Sequence, residues 1–369
     1  MRIGYVVSRL DAGGAERQVI ALAGGLGARG HVIDVFAYGG AGVLDSEARA
    51  VGATLHYGSA TGRLAAIRDV RSWLRTFRPA VVQGVMKRAS TVSVMATLGL
   101  RDVGVVANDY STASYARHKP VLWGSLAAFA GADHVVTETV LNQRGLEQIA
   151  PWLRGKVSVI RNGLDVDRFA FTAKPARAPG SPFQVCAVGR VIPLKNALGL
   201  VEAVGELRRR GRSDIVVVWY GRTAGENGLP TAAFNEAIAA AERLGLGDAF
   251  AFAGPTDEVE RVYASADAFI HPSFQEGFPN AVAEAMATGL PIAVGDVADL
   301  PLAVEEAGNG IVFNPRDPVS IADAMEHLAD ATPEELTRMA RASRALAERW
   351  FSMSRFVDDH ENLYRRLAR

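Results

Sequence analysis

The chain has 369 residues, 49% hydrophobic and 22% charged, with 37 Gly and 16 Pro, which excludes the disordered and fibrous classes. That length exceeds one ordinary core, so two α/β domains of roughly 150 to 200 residues each are expected. Forty Lys and Arg balance forty Asp and Glu, so the total carries no attraction to nucleic acid, and no nucleic-acid partner is expected.

In chain order, short β-rich runs alternate with helix-length segments, as in parallel sheets joined by crossover helices. The first series predicts strands at 2–8, 31–37, 53–57, 80–84, 103–107, 133–137 and 157–161. Between the first two, residues 14–29 predict a helix with Ala15, Val19, Leu22, Ala23 and Leu26 at helical spacing and Gly30 as the stop. Residues 174–182, with three prolines and no periodicity, read as a linker. A second series restarts the pattern at 183–189, 215–221, 249–253, 268–271, 291–295 and 311–313, and two long helices, 333–350 and 351–367, end the chain. The single cysteine, Cys186, lies in the apolar run 183–188 and is expected to be buried, which leaves no intrachain disulfide and no Cys-based metal site.

Charge divides unevenly between the two series. Residues 1–165 hold 19 Lys and Arg against 12 Asp and Glu, and the remainder 21 against 28. A basic first half suits an anionic acceptor or an anionic lipid surface, and scattered solvated arginines account for it equally well. The start of the chain has no signal-peptide pattern and no stretch approaches about 18 apolar residues, so a cytoplasmic location is expected.

The most informative stretch is 274–291, which contains Glu276-Gly277-Phe278-Pro279-Asn280 and then Glu284-Ala285-Met286. It reads as loop, helix, loop. Pro279 suits the first helical turn, Gly289 the position past the last, and Pro291 blocks continuation. A helix start offers unpaired N–H groups and a positive dipole end, and Gly277 admits a ligand close to the main chain. Glu276 in the loop and Glu284 on the helix can accept hydrogen bonds from hydroxyl groups. Helix capping by Glu276 is the plainer alternative.

A second constellation is Arg190 and Lys195 in the segment 188–196, where a strand ends ahead of a helix. Two anchored cations suit a diphosphate, whose charge grows as it leaves. Two ordinary surface cations would read the same way. The first βα turn, with Gly13, Gly14 and Arg17, opens a helix as a phosphate-binding loop does, but lacks the Gly-x-Gly-x-x-Gly order, and a nicotinamide-dependent oxidoreductase would rest on this turn alone. Asp165 and Asp167 form an Asp-x-Asp pair, which in its turn context reads as capping. No other grouped His, Asp or Glu has metal-ligand spacing, so neither a metal nor another cofactor is expected.

The two glutamates seven residues apart, set in Glu-Gly-Phe-Pro-Asn and Glu-Ala-Met, resemble the signature of glycosyltransferase family 4. Arg190 with Lys195, the Gly-Gly-Ala-Glu-Arg run at 13–17 and the segment 160–169 look like further parts of it. The resemblance covers nearly the whole chain. It implies the GT-B fold, an α/β architecture of two Rossmann-like doubly wound domains facing across a cleft. Residues 1–170 would be the acceptor side, 171–350 the nucleotide-sugar domain, and 351–369 a helix returning to the first domain.

Transfer of a sugar from a nucleotide diphosphate sugar to a hydroxyl, with retained anomeric configuration and no metal, is the activity so implied. By position, Glu276 would meet the donor sugar, Gly277 to Asn280 the sugar or phosphate, Glu284 the ribose, and Arg190 with Lys195 the diphosphate. Gly13 and Gly14 would approach donor phosphate. At strand ends in the second series, where open α/β folds bind ligands, Gly221 and Gly254 fall in segments that would hold the base. Arg17, Asn108, Asp109 and His118 are acceptor-side candidates, and Lys87 with Arg88 would meet a lipid-linked phosphate. Trp123, Leu122, Leu126 and Phe129 are read as core ahead of a membrane-facing stripe.

The acceptor implied is a saccharide or a lipid-linked molecule, with peripheral contact at the inner membrane face, in surface polysaccharide or glycolipid assembly. A catalytically silent sugar-nucleotide-binding protein of the same fold and a nucleotide-sugar 2-epimerase are the alternatives.

Overall fold

Strand order decides where ligands can bind in this chain. The computed structural model describes residues 1–11, 13–58, 62–109, 120–171, 177–178, 180–225 and 228–368. Among them, β1 (Arg2–Val7), β2 (Val32–Ala37), β3 (Thr54–Tyr57), β4 (Val81–Gly84), β5 (Gly104–Asn108), β6 (His134–Thr137) and β7 (Val157–Val159) form one sheet in the order β3-β2-β1-β4-β5-β6-β7. β8 (Phe183–Val188), β9 (Ile215–Tyr220), β10 (Phe250–Gly254), β11 (Ala268–His271), β12 (Ile292–Gly295) and β13 (Gly310–Phe313) form a second, ordered β10-β9-β8-β11-β12-β13. Neighbouring strands pair in parallel throughout. Each sheet reverses its order once, between β1 and β4 and between β8 and β11, and open α/β sheets bind ligands beyond the carboxyl ends of strands at such a reversal.

Both faces of the first sheet are covered, which is why its strands read as nearly continuous apolar runs. Ile3, Tyr5 and Val7 join Ile33 and Val35 in one buried cluster, while Val6, Phe36, Val82 and Val105 belong to the other. Gly4 lacks a side chain for a packing reason: a Cβ there would lie 2.7 Å from the Trp73 ring. Leu126 and Phe129 are fully buried in the second cluster, so that part of the helix Pro120–Phe129 is core, whereas Trp123 is partly exposed. The side chain of Leu122 lies outside the described residues.

The last helix, Met353–Leu367, packs with the first sheet's elements. Phe356, Val357, Leu363 and Tyr364 enter the cluster of Ile3 and Tyr5, and the Tyr364 hydroxyl donates to Gln83 Oε1 at 2.5 Å. Arg29 pairs with Asp358 and Glu361, each at 2.7 Å. The chain therefore divides into one unit of Met1–Gly163 with Phe351–Arg369 and another of Leu164–Trp350.

The change of unit comes at Gly163, earlier than the boundary of 170 implied by the resemblance and than the proline-rich stretch 174–182. Gln18 grips Gly163 from both sides, its Nε2 donating to Gly163 O at 2.9 Å and its Oε1 accepting from Gly163 N at 2.8 Å. Just beyond, Arg344 donates to the carbonyls of Val166 and Phe169, each at 2.8 Å, and claims that segment for the second unit. Lys174, Pro175, Ala176 and Pro179 of the stretch itself lie outside the described residues. In the second unit, Val185, Ala187, Val217 and Ile270 from the strands meet Leu200, Val204, Ile321 and Met325 from the helices in a buried cluster. Cys186 is buried. Among the described residues no helix is long and apolar enough to cross a membrane.

Candidate functional site

The second unit's reversal point is built from the loops after β8 and β11. After β8, the Gly189 N–H donates to Tyr220 O at 2.9 Å, and Gly189 O accepts from Trp219 Nε1 at 2.8 Å. Gly221, at φ 146°, passes so close that any Cβ would overlap Gly189 O. That close approach accounts for Gly221 without a ligand. Gly254, at φ 78°, has open space where a Cβ would sit.

Further along, Asn196 takes a left-handed conformation (φ 57°) and caps the helix Ala197–Arg209 by accepting from Gly199 N at 3.2 Å. Its Nδ2 donates to Pro272 O at 3.1 Å and Pro315 O at 2.7 Å, and Phe274 N donates to Leu194 O at 2.9 Å. The loops after β8, β11 and β13 are thus fastened to each other around Lys195.

Lys195 Nζ lies 2.5 Å from Glu276 Oε1, and His271 Nε2 approaches the same oxygen at 3.0 Å. His271 ends β11 and is buried. Burial lowers its pKa, so at neutral pH it is uncharged and, facing a carboxylate, must carry its proton on Nε2. Burial pushes Glu276 up, but the His271 hydrogen bond and the Lys195 charge outweigh it and hold the carboxyl well below the usual range. Arg190, five residues before Lys195, is exposed and has no ion pair among the described residues.

The helix Asn280–Thr288 follows, with Pro279 at its N-cap position instead of inside its first turn, because Pro279 is extended at ψ 119°. Gly289 ends it at φ 87°. Phe278 is buried edge-on against Trp350, with centroids 6.3 Å apart, while Gly277 and Asn280 are half-buried. Glu284 accepts from the Tyr263 hydroxyl at 2.9 Å, and burial raises its pKa. Sequence reasoning missed Asn196, Tyr263 and His271. A signal existed for His271 alone, since a polar residue closing an apolar strand run sits at the ligand-binding edge.

The first unit's candidates are placed differently. Gly13 is the N-cap of the helix Gly14–Ala28, and the Glu16 carboxylate lies where a Gly13 Cβ would be, so this helix start is covered by the chain's own acid. Arg17 pairs with Glu47 at 3.3 Å on the surface. Asn108 is fully buried at the end of β5, and neither side-chain amide atom has a hydrogen-bond partner among the described residues, although Ser90 Oγ accepts from its N–H at 2.8 Å. Asp109 pairs with Lys87 at 3.1 Å, and Asn142 Nδ2 donates to Asp109 O at 2.9 Å. His118 lies outside the described residues. Asp165 Oδ1 accepts from the N–H groups of Asp167 and Arg168, at 3.2 and 3.3 Å, which is a turn arrangement. Among the described residues no three His, Cys, Asp or Glu side chains are grouped as a metal site.

Residues 182–331 match the family model described as glycosyl transferases group 1, and residues 12–168 match that of glycosyltransferase family 4. D-inositol 3-phosphate glycosyltransferase of Nocardia farcinica is 32% identical over 55% of this chain and 46% of its own. That of Streptomyces avermitilis is 31% identical over 61% and 50%. The chain thus spans about half the length of these relatives. Among solved structures, HepE of Anabaena in complex with UDP and glucose superposes with a TM-score of 0.80 at 18% identity, covering 98% of this chain and 99% of that one. Sucrose-phosphate synthase of Thermosynechococcus elongatus gives 0.79 at 18%, covering 100% and 99%. At such identity the likeness establishes the fold. Matched by the two family models from residue 12 to 168 and from 182 to 331, the chain belongs to the group 1, family 4 glycosyltransferases and has the GT-B fold.

Proposed function

We propose that the protein is a retaining glycosyltransferase that moves a sugar from a nucleotide diphosphate sugar to a hydroxyl acceptor without recruiting a metal ion. One observation carries the reading: Lys195, Glu276 and His271 converge beside the start of the helix Asn280–Thr288 at the reversal point of the second sheet.

In the reaction the bond from the anomeric carbon to the diphosphate breaks and a bond to the acceptor oxygen forms on the same face. The acceptor's proton goes to the departing diphosphate. Arg190, Lys195 and the helix's first N–H groups would oppose the growing negative charge there. Glu276 would accept from sugar hydroxyls, and Glu284, oriented by Tyr263, from the ribose. Gly277 to Asn280 would pass along sugar and phosphate, with Gly254 near the base.

The acceptor side would be the first unit, where the unsatisfied Asn108 amide offers a donor and an acceptor to a hydroxyl, next to Asp109 and Lys87. A saccharide or lipid-linked acceptor, peripheral contact at the cytoplasmic membrane face and a place in polysaccharide or glycolipid assembly complete the reading. UDP and glucose in the Anabaena protein and D-inositol 3-phosphate in the relatives' names suggest a UDP-sugar as the first donor and D-inositol 3-phosphate as the first acceptor to try.

The test is a thermal-shift screen of UDP-, GDP- and ADP-sugars, since a bound donor raises the unfolding temperature by mass action. It is followed by product analysis with D-inositol 3-phosphate and a panel of saccharides and lipid-linked saccharides. A donor that both stabilises the protein and loses its sugar to an acceptor supports the reading. Stabilisation by none of them, with no transfer, contradicts it.

A further inference from the structure

Glu276 has two donors on one oxygen, and under the reading above they cannot both stay. Lys195 and His271 are the charged and titratable groups that face this carboxylate, from the β8 loop and from the end of β11. A diphosphate that takes Lys195 removes the carboxylate's cation, and a buried carboxylate left without partners is costly. His271 is the partner that remains. It is buried, and its ring lies nearly parallel to that of Phe269, at 18° and 6.1 Å, so its N–H has a fixed direction. Being neutral, it competes with Lys195 for no phosphate charge.

We infer that His271 is a positioning residue: its Nε2–H keeps Glu276 aimed at the donor sugar while Lys195 changes partner from Glu276 to the diphosphate. The inference rests on the donor-site reading, but extends it to a residue that the family signature does not contain. Glu276 Oε2 then stays open for a sugar hydroxyl, and arrival of the diphosphate is coupled to release of the carboxylate from its ion pair.

The test compares His271→Leu, which deletes the donor, with His271→Gln, which returns an N–H near the Nε2 position. In the substrate-free protein, the Glu276 side-chain carboxyl is titrated by carbon NMR. Leu is expected to raise its midpoint by a pH unit or more, and Gln to restore most of the shift. In kinetics, Leu is expected to lower kcat on the order of 10- to 100-fold, the size of one charge-assisted hydrogen bond, with little change in the Kd for UDP, and Gln to recover most of it.

An unchanged Glu276 midpoint in the Leu variant, or a Gln variant as impaired as Leu, overturns the proposal. If Leu does not fold, nitrogen NMR of the wild-type imidazole decides: a neutral Nε2–H tautomer near pH 7 supports the proposal, and an Nδ1–H tautomer or an imidazolium overturns it. The NMR arms need no turnover, so a wild-type protein that transfers nothing would refute the donor-site reading without deciding this one.

Discussion

Lys195 and Glu276 stand eighty-one residues apart in sequence and meet through a 2.5 Å contact that fastens the β8 loop to the β11 loop. Under the proposed function the pair occupies the place where a diphosphate needs a cation, and arrival of the donor would replace one negative partner of Lys195 with another.

Removing either cation should therefore cost turnover more than folding. Arg190→Ala and Lys195→Ala are each expected to lower the transfer rate on the order of 10² to 10³, as loss of one charge-stabilising donor does. Arg190 is exposed, so its alanine variant should keep the wild-type unfolding temperature. Steady-state kinetics and calorimetry check this, and near-wild-type turnover in both variants contradicts it.

Glu284, the ribose contact of the proposed function, is held at a cost in stability. Burial raises its pKa, so above the unfolded value the folded state holds an acid that ionises less readily than in the unfolded chain. Its penalty is absent at low pH, grows as pH rises past that value, and is complete above the folded pKa. Glu284→Gln, which can still accept from Tyr263, should match or exceed wild-type stability at pH 7. Its donor affinity should fall on the order of 10-fold or more, the size of a hydrogen bond to a charged group. Lower stability with unchanged donor affinity would contradict this assignment.

The two glycines read from the sequence as base contacts should separate. Gly221→Ala forces a Cβ onto Gly189 O and is expected to destabilise by about 3 kcal/mol or more. Gly254→Ala meets open space and pays only for its left-handed backbone, about 1 to 2 kcal/mol. Chemical denaturation of the two variants measures the difference, and equal losses would contradict it.

His360, on the last helix, sets an acid limit for the first unit. It is buried, with Nδ1 donating to Phe356 O at 3.0 Å, and burial lowers its pKa to about 4. A depressed folded pKa means that stability is full above the unfolded value near 6.5 and is lost as pH falls toward 4. The loss should approach about 3 kcal/mol over that window. Unfolding measured from pH 7.5 to 4.5 should show this slope in wild type and a shallower one in His360→Gln.

Contiguity explains which parts of the molecule were legible in the sequence. The run from Glu276 to Gly289 and the run from Arg190 to Asn196 each sit on one loop and one helix start, so their spacing was readable, while their assignment to sugar and diphosphate came with the family resemblance. The alternating strand pattern was readable for the same reason. Tyr263 meets Glu284 from another helix, which no local signal reports, whereas His271 stands five residues before Glu276 and a polar residue closing an apolar strand was there to be read.

The boundary at Gly163 is set by the Gln18 amide from 145 residues away, while nearby prolines pointed further on. Gly13 showed the composition of a phosphate loop but not that Glu16 folds over it. Asn108, Ser90 and Asn142 come from three different elements, which is why the first unit's polar cluster was only partly foreseen.

Calorimetric titration of UDP into the protein in the presence of a chelator tests the central claim most directly, with the Arg190→Ala/Lys195→Ala double variant as comparison. Binding that persists under chelation and is lost in the double variant is the predicted result. Binding that vanishes on chelation, returns with magnesium and is indifferent to the double variant would contradict it.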